Sequence, residues 1–395
     1  MSQSRTFLAS LFMAACVLAG CGAQEEQPPG QATAPRQPVL GQRADDENAP
    51  TTLGFPSFAT KNTTRIGGAD PIADAAGVAL AVHPSRSPQT RPAAVALVDI
   101  DNWQAAISAA QLAADPIGAP VLFSAGDQIP PATQSALREL QPAGAPTARN
   151  ARVFRIATPA QPERLRAANI EGSTPAAIAL AIDRLHTSAA GGASRTVIVA
   201  SSEDPKYAMP AAGWAAKTGD PVLWTGRETV PKETVEAIRS RKKPRIYVLG
   251  PERVVSKAAV TRLEKLGDVT RIEGENAIRT AIAFARFSDG DFGWNVVDPG
   301  HGLVFASLRR PADAAAAAPL SSTGTYGPLL LLDIPTALPQ VVQDYLLDIQ
   351  PGYETDPVRG VYNHGWLIGD ETAITVDVQS RIDALLEIEP VDTSS

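Results

Sequence analysis

From residue 92 the chain alternates short apolar runs with stretches whose apolar residues recur at helical spacing. Val95-Ala96-Leu97-Val98 leads into WQAAISAAQLAA, and Pro120-Val121-Leu122-Phe123 follows. Short apolar runs bounded by Gly and Pro suit interior strands of a parallel sheet, and the stretches between them suit amphipathic helices. Taken alone, residues 92–126 read as the opening of a nucleotide-binding α/β unit.

The same pattern occurs three times, which changes the meaning of every local motif. AVALVDIDNWQAAISAAQLA, TVIVASSEDPKYAMPAAGWA and GLVFASLRRPADAAAAAPLS align with Ala109/Ala110, Ala211/Ala212 and Ala317/Ala318 in one frame. Each leads to a second apolar run: Pro120 to Phe123, Pro221-Val222-Leu223-Trp224, and Pro328-Leu329-Leu330-Leu331. Ahead of each stands a strand end and a tight turn: Thr64-Arg65-Ile66-Gly67-Gly68, Asn169-Ile170-Glu171-Gly172 and Thr270-Arg271-Ile272-Glu273-Gly274. A further helix and third strand complete the unit, clearest in VPKETVEAIRSRKKPRIYVLGPERVVSKAAVTRLEKLG. Strands alternating with helices in this way predict three tandem α/β modules with mainly parallel sheets, over residues 62–166, 167–268 and 269–390.

A dinucleotide site would need a Gly-rich turn after the first strand so that backbone amides could approach a pyrophosphate. DIDNWQ, SSEDPK and SLRRPA supply none, and no cofactor is expected. Both cysteines, Cys16 and Cys21, fall ahead of the repeats. Disulfides, Cys-ligated zinc and a Cys nucleophile are therefore excluded from the repeat region. A net charge of -7 argues against a general nucleic-acid binder, which needs a basic surface to displace counterions.

The N-terminus has Arg5, an apolar run from Phe7 to Leu18, and then Leu18-Ala19-Gly20-Cys21. This pattern predicts a signal peptide over residues 1–20. Leu-Ala-Gly-Cys resembles the bacterial lipobox, which implies a diacylated Cys21 that fixes the chain to the extracytoplasmic face of a membrane. Residues 21–61, rich in Gln, Pro, Gly, Ala and Thr, read as a flexible tether.

Catalytic groupings are sparse. His83, His186, His301 and His364 are scattered, and only His301 and His364 lie in turn-rich contexts, where they could meet Asp298 or Asp370. Glu203-Asp204 and Asp289/Asp291 are pairs of the kind a glycosidase uses. Arg239, Arg241, Lys242, Lys243 and Arg245 form a basic run, read as a charged helix end that complements the helix dipole. Arg309 and Arg310, at a strand-to-helix turn, are better placed to meet phosphate or carboxylate groups.

The succession of RIxG, an apolar strand, NFPDALSAAPLA, GxPILL and VYIVGG-like elements resembles the cell wall-binding repeat 2 family of bacterial surface proteins. The match runs through Asn102, Trp103, Ala106, Ser108, Ala109, Ala110 and Leu112 in repeat one. In repeat three it runs through Asp313, Ala314, Ala317, Ala318, Pro319 and Leu320. The resemblance implies three Rossmann-like/Toprim-like modules about a pseudo-threefold axis that bind anionic wall polysaccharide or a teichoic-acid-like polymer without catalysis. It points to the Pro-Ile-Leu-Leu element as part of the binding surface, here Pro120, Val121, Leu122, Pro221, Val222, Leu223, Pro328, Leu329 and Leu330. Asn102, Trp103, Arg309, Arg310 and Asp313 join them as candidates from the adjoining turns. The expected protein is a monomeric, lipid-anchored envelope protein. The alternatives are a solute-binding lipoprotein of a transporter and an accessory to a wall-lytic enzyme.

Overall fold

The computed structural model describes residues 58–322 and 327–391. The expected signal peptide, Cys21 and tether lie outside the described residues. No described helix is long and apolar enough to cross a membrane.

In chain order, the first repeat contributes β1 (Phe58–Ala59), β2 (Thr63–Ile66), α1 (Pro71–Val82), β3 (Val95–Asp99), α2 (Trp103–Ala109), β4 (Val121–Ser124), α3 (Pro131–Leu140) and β5 (Val153–Ile156). The second contributes β6 (Ala167–Ile170), α4 (Pro175–Ala190), β7 (Thr196–Ser201), α5 (Pro205–Thr218), β8 (Val222–Thr225), α6 (Lys232–Arg239), β9 (Arg245–Leu249) and α7 (Lys257–Leu263). The third contributes β10 (Asp268–Ile272), α8 (Ala277–Arg286), β11 (Gly302–Ser307), α9 (Asp313–Ser322), β12 (Leu329–Leu332), α10 (Gln340–Asp348), β13 (Gly352–Tyr353), β14 (His364–Ile368), α11 (Val376–Leu385) and β15 (Glu389–Pro390).

Three large sheets result, with strand orders β4-β3-β5-β6, β8-β7-β9-β10 and β12-β11-β14-β2-β1, beside a separate two-stranded parallel pair of β13 and β15. Every pair in them is parallel except β1 with β2. The inner strands β3, β7 and β11 are buried along their whole length, as parallel strands covered on both faces must be.

Sheet and sequence repeat are out of phase by one strand. The opening strand of repeat two, β6, is the edge of the first sheet, and that of repeat three, β10, is the edge of the second. The opening strand of repeat one, β2, pairs with β14 of repeat three. Each following helix crosses to the next sheet: α1 packs on β4, α4 on β8 and α8 on β12. Every repeat thus straps two sheets together, and the chain closes on itself as a ring without a covalent link.

The crossing from strand to helix requires glycine. A Cβ on Gly68, Gly172 or Gly274 would lie 2.5, 2.6 or 2.7 Å from the backbone nitrogen of Asp74, Ile178 or Thr280 in the next helix. The side chains of Asp70, Thr174 and Asn276 cap those helices by accepting from the amides of Ala73, Ala177 and Arg279.

The helices α2, α5 and α9, with the 3-10 turn Ala110–Ala113 that extends α2, meet at the centre. Their paired alanines are buried, and such small side chains let three helices approach one axis. At Gly213 of α5 a Cβ would lie 2.9 Å from Ser321 Oγ of α9. This is the mainly parallel, three-module α/β architecture that the repeats predict.

Candidate functional site

The strand-to-helix turns at the carboxyl ends of β3, β7 and β11 gather most of the polar candidates. The Pro-Xaa-Leu candidates are elsewhere. Pro120, Val121, Leu122, Pro221, Val222, Leu223, Pro328, Leu329 and Leu330 are all buried in the second strands or at their starts. Their hydrophobicity goes into the core, so these side chains are buried where the resemblance implies a part of the binding surface. Trp224 at the end of β8 is also interior: its Nε1 donates to Ser108 Oγ of repeat one at 2.9 Å.

At the first turn, Asn102 and Trp103 are half-buried. Asn102 Nδ2 donates to the carbonyl of Ala157 at 3.2 Å, and Trp103 meets Trp224 edge to face at 5.4 Å. At the third turn Arg309 is exposed. Arg310, next to it, turns inward and pairs with Asp74 of α1 and with Asp313, whose Oδ2 lies 2.9 Å from Arg310 Nε.

Both carboxylates of this trio have no exposed surface, whereas the Arg310 side chain keeps 15%. Two buried acids beside one cation cannot both ionise cheaply. Burial pushes Asp74 well above the usual carboxylate range, and the charge of Asp313 adds to that, while Arg310 and the Gly68 amide, at 2.7 Å, oppose it. Burial raises Asp313 to about 7, with Arg310 pulling the other way. Burial thus favours the protonated form of both acids, and Arg310 opposes it. Arg310 and Asp313, both polymer candidates on sequence grounds, are therefore committed to each other and to Asp74. They join repeat three to repeat one.

The equivalent positions in the other seams carry different groups. Between repeats two and three, Tyr207 stands for Asp313 and Thr280 for Asp74. Arg253 donates to the Tyr207 hydroxyl and to the Glu275 carbonyl, and Thr280 Oγ1 accepts from the Gly274 amide at 3.0 Å. Between repeats one and two, Ala105 and Ile178 fill the same places as part of one apolar cluster.

A second set of arginines had no place among the candidates. Arg65 donates to Gln379 and to the carbonyls of Gly369 and Asp370, at 2.8 to 2.9 Å. Arg271 donates to the carbonyls of Gly250 and Val255. In the first sheet the guanidinium comes from the opposite strand, as Arg155 donates to Ala160 O, Pro159 O and Asn169 Oδ1. The register explains the exchange: Leu367 pairs with Arg65, Val248 with Arg271, and Arg155 with Asn169. The signal available in the sequence was the missing arginine at Asn169.

The remaining groups are largely engaged within the protein. Arg241 of the basic run is buried against Asp183 of α4, with 1% and 5% of the two side chains exposed. Arg245 pairs with Asp291, and Asp289 accepts from the Tyr247 hydroxyl at 2.7 Å. Glu203 accepts from the Arg227 amide at 3.0 Å, and Asp204 caps α5. His301 immediately precedes β11 and His364 begins the adjacent β14, yet His301 pairs with Asp298 at 3.0 Å while His364 meets Thr64 at 3.0 Å, and neither ring meets Asp370. Among the described residues no group of three or more His, Asp or Glu could hold a metal ion.

Fold and turns define a class: a ring of three α/β repeats whose surface chemistry lies in loops at the strand ends. The chain belongs to the cell wall binding domain 2 (CWB2) family, which matches residues 169–260 and 271–379, more than half of the chain. Cell wall binding, and with it a place at the cell envelope, follows from that membership. Among solved structures, Cwp6 from Clostridium difficile superposes with a TM-score of 0.65 at 17% identity over 82% of this chain and 48% of its own. Cwp8 from Clostridium difficile gives 0.62 at 17% over 83% and 52%. The chain thus spans about half the length of each, and the likeness shows the fold. No curated protein sequence matches the chain.

Proposed function

We propose that the protein is a lipid-anchored, non-catalytic receptor for an anionic glycopolymer of the cell wall. The family match over residues 169–260 and 271–379 carries the reading. Leu-Ala-Gly-Cys at residues 18–21 supports the anchor. Three sheets tied into one ring support it over a two-lobed solute-binding protein, which closes over one ligand.

With Arg310 and Asp313 engaged inside, polymer contact falls to Asn102 and Trp103 at the first turn and Arg309 at the third. The tryptophan offers an apolar ring edge, Asn102 a polar amide, and Arg309 a guanidinium able to grip phosphate or carboxylate with two hydrogen bonds. A protein of net charge -7 meets an anionic polymer only through such local cations, so binding weakens with salt.

The test is co-sedimentation of residues 22–395 with purified walls before and after chemical removal of the anionic polymers. Binding to intact walls that is lost on stripping is expected. Equal binding to both preparations, or none to either, overturns the reading.

A further inference from the structure

The amino-terminal edge of the second sheet carries a cleft of about 620 Å3 that has no place in the polymer contacts above. Its size lies within the range of ~300–1,000 Å3 typical of small-molecule sites. One wall comes from another repeat. After α8 the chain makes a tight turn in which Asp289 and Phe292 exchange backbone hydrogen bonds of 2.8 and 3.2 Å, with Gly290 at φ +65°. Phe292 stacks on Tyr247 of β9 at 3.5 Å, which fixes the turn against the second sheet.

The opposite wall is a strained loop. Lys242 and Lys243 both adopt left-handed conformations, at φ +53° and +62°. Such residues are strained and persist only where neighbours force them. Both directly follow the buried Arg241, which is anchored by Asp183 and the Ala237 carbonyl.

Some polar groups of the cleft are already satisfied. Arg245 is held by Asp291, by the Asp289 carbonyl at 3.0 Å and by Thr196 Oγ1 at 3.2 Å. Asp220 accepts from Trp214 Nε1 at 2.8 Å and from Ser194. Arg195, Lys243 and Asp268 line the same space, are exposed, and have no ion-pair partner among the described residues. We propose that this cleft seats one saccharide unit, recognised through its hydroxyls. Cations and carboxylates balance there, so a bare anion gains little, while a polyol donates to Asp268 and accepts from Arg195 and Lys243. The corresponding links of the other repeats, residues 83–94 and 191–195, form no such hairpin, which gives one site per chain.

The source of the sugar rests on the wall-polymer reading. The test titrates neutral oligosaccharides, released from purified walls by mild acid and dephosphorylated, into residues 22–395 by calorimetry. Wild type is compared with the surface variant Arg195→Ala/Asp268→Ala, whose unchanged melting temperature verifies its fold. One site per chain, at least tenfold weaker in the variant and indifferent to inorganic phosphate, is expected, with wall sedimentation of the variant only partly reduced. If wild type sediments with walls but both chains titrate alike, or phosphate displaces the sugar, the cleft proposal alone falls. If wild type binds neither walls nor oligosaccharides, the polymer reading falls and takes this one with it.

Discussion

The seam that closes the ring and the seam between repeats one and two share a backbone plan and differ in what fills it. At closure, Asp74, Arg310 and Asp313 form a buried ionic trio; at the other seam, Asn102, Ala105 and Ile178 stand in the same three places. The apolar seam draws on dispersion and burial and has no pH dependence of its own. The ionic seam meets a desolvation cost that its attraction only partly offsets, so it contributes specificity of pairing more than net stability. The difference falls where it is useful. Covalent neighbours hold repeats one and two together, whereas repeats three and one must find each other across the length of the ring.

The largest expected effect comes from breaking the trio from one side. Arg310→Met leaves two buried acids without a cation and should cost about 3–5 kcal/mol in denaturant unfolding. A loss below about 1 kcal/mol would mean that the trio does not hold the seam. Giving the closing seam the residues of the apolar one, as Arg310→Asn, Asp313→Ala and Asp74→Ile together, should recover most of that loss, because well-packed apolar replacements of buried ion pairs are often neutral or better. A triple variant no more stable than Arg310→Met would show that the two seams are not interchangeable.

The pH response separates the seams further. Asp313 is raised to about 7 by burial, so the folded chain binds more protons than the unfolded one between about pH 4 and 7, and stability from this site falls as pH rises through that range. His83, lowered to about 4, and His186 and His364, also lowered by burial, act in the opposite sense and finish near pH 6.5. The histidines are common to both proteins, so from pH 5 to 8 the melting temperature of wild type should drop by a few degrees relative to Asp313→Asn. Parallel curves would contradict the raised carboxyl of Asp313. At the remaining seam, Tyr207→Phe removes one hydrogen bond to Arg253 and should cost about 0.5–1.5 kcal/mol by thermal unfolding. The smallest effect on stability belongs to Arg309→Ala, within about 0.5 kcal/mol, while wall binding weakens measurably in co-sedimentation.

The three-module fold was legible because each repeat states it again. Gly68, Gly172 and Gly274 mark the same forced turn, and the alanine pairs mark the same central packing. The phase of the ring was not legible, because β2 and β14 are brought together by closure rather than by adjacency, and pattern alone does not say which sheet an edge strand joins. The surroundings of single arginines were less legible for a related reason. Asp74 is 236 residues from Arg310, so nothing local distinguishes a cation that faces a polymer from one that faces a buried acid. Arg241 misleads in the same way: it sits in a basic run and is buried against Asp183. The Pro-Val-Leu strands carry a motif whose apolar character the core explains fully.

Ring closure is tested most directly by hydrogen exchange on a chain that begins at residue 84 and so lacks β2 and α1. Amides of β14, which loses its neighbour, and of β4, which loses its covering helix, should both lose protection while β7 and β8 keep theirs. Unchanged protection in β14 and β4 would contradict a ring closed by the first repeat.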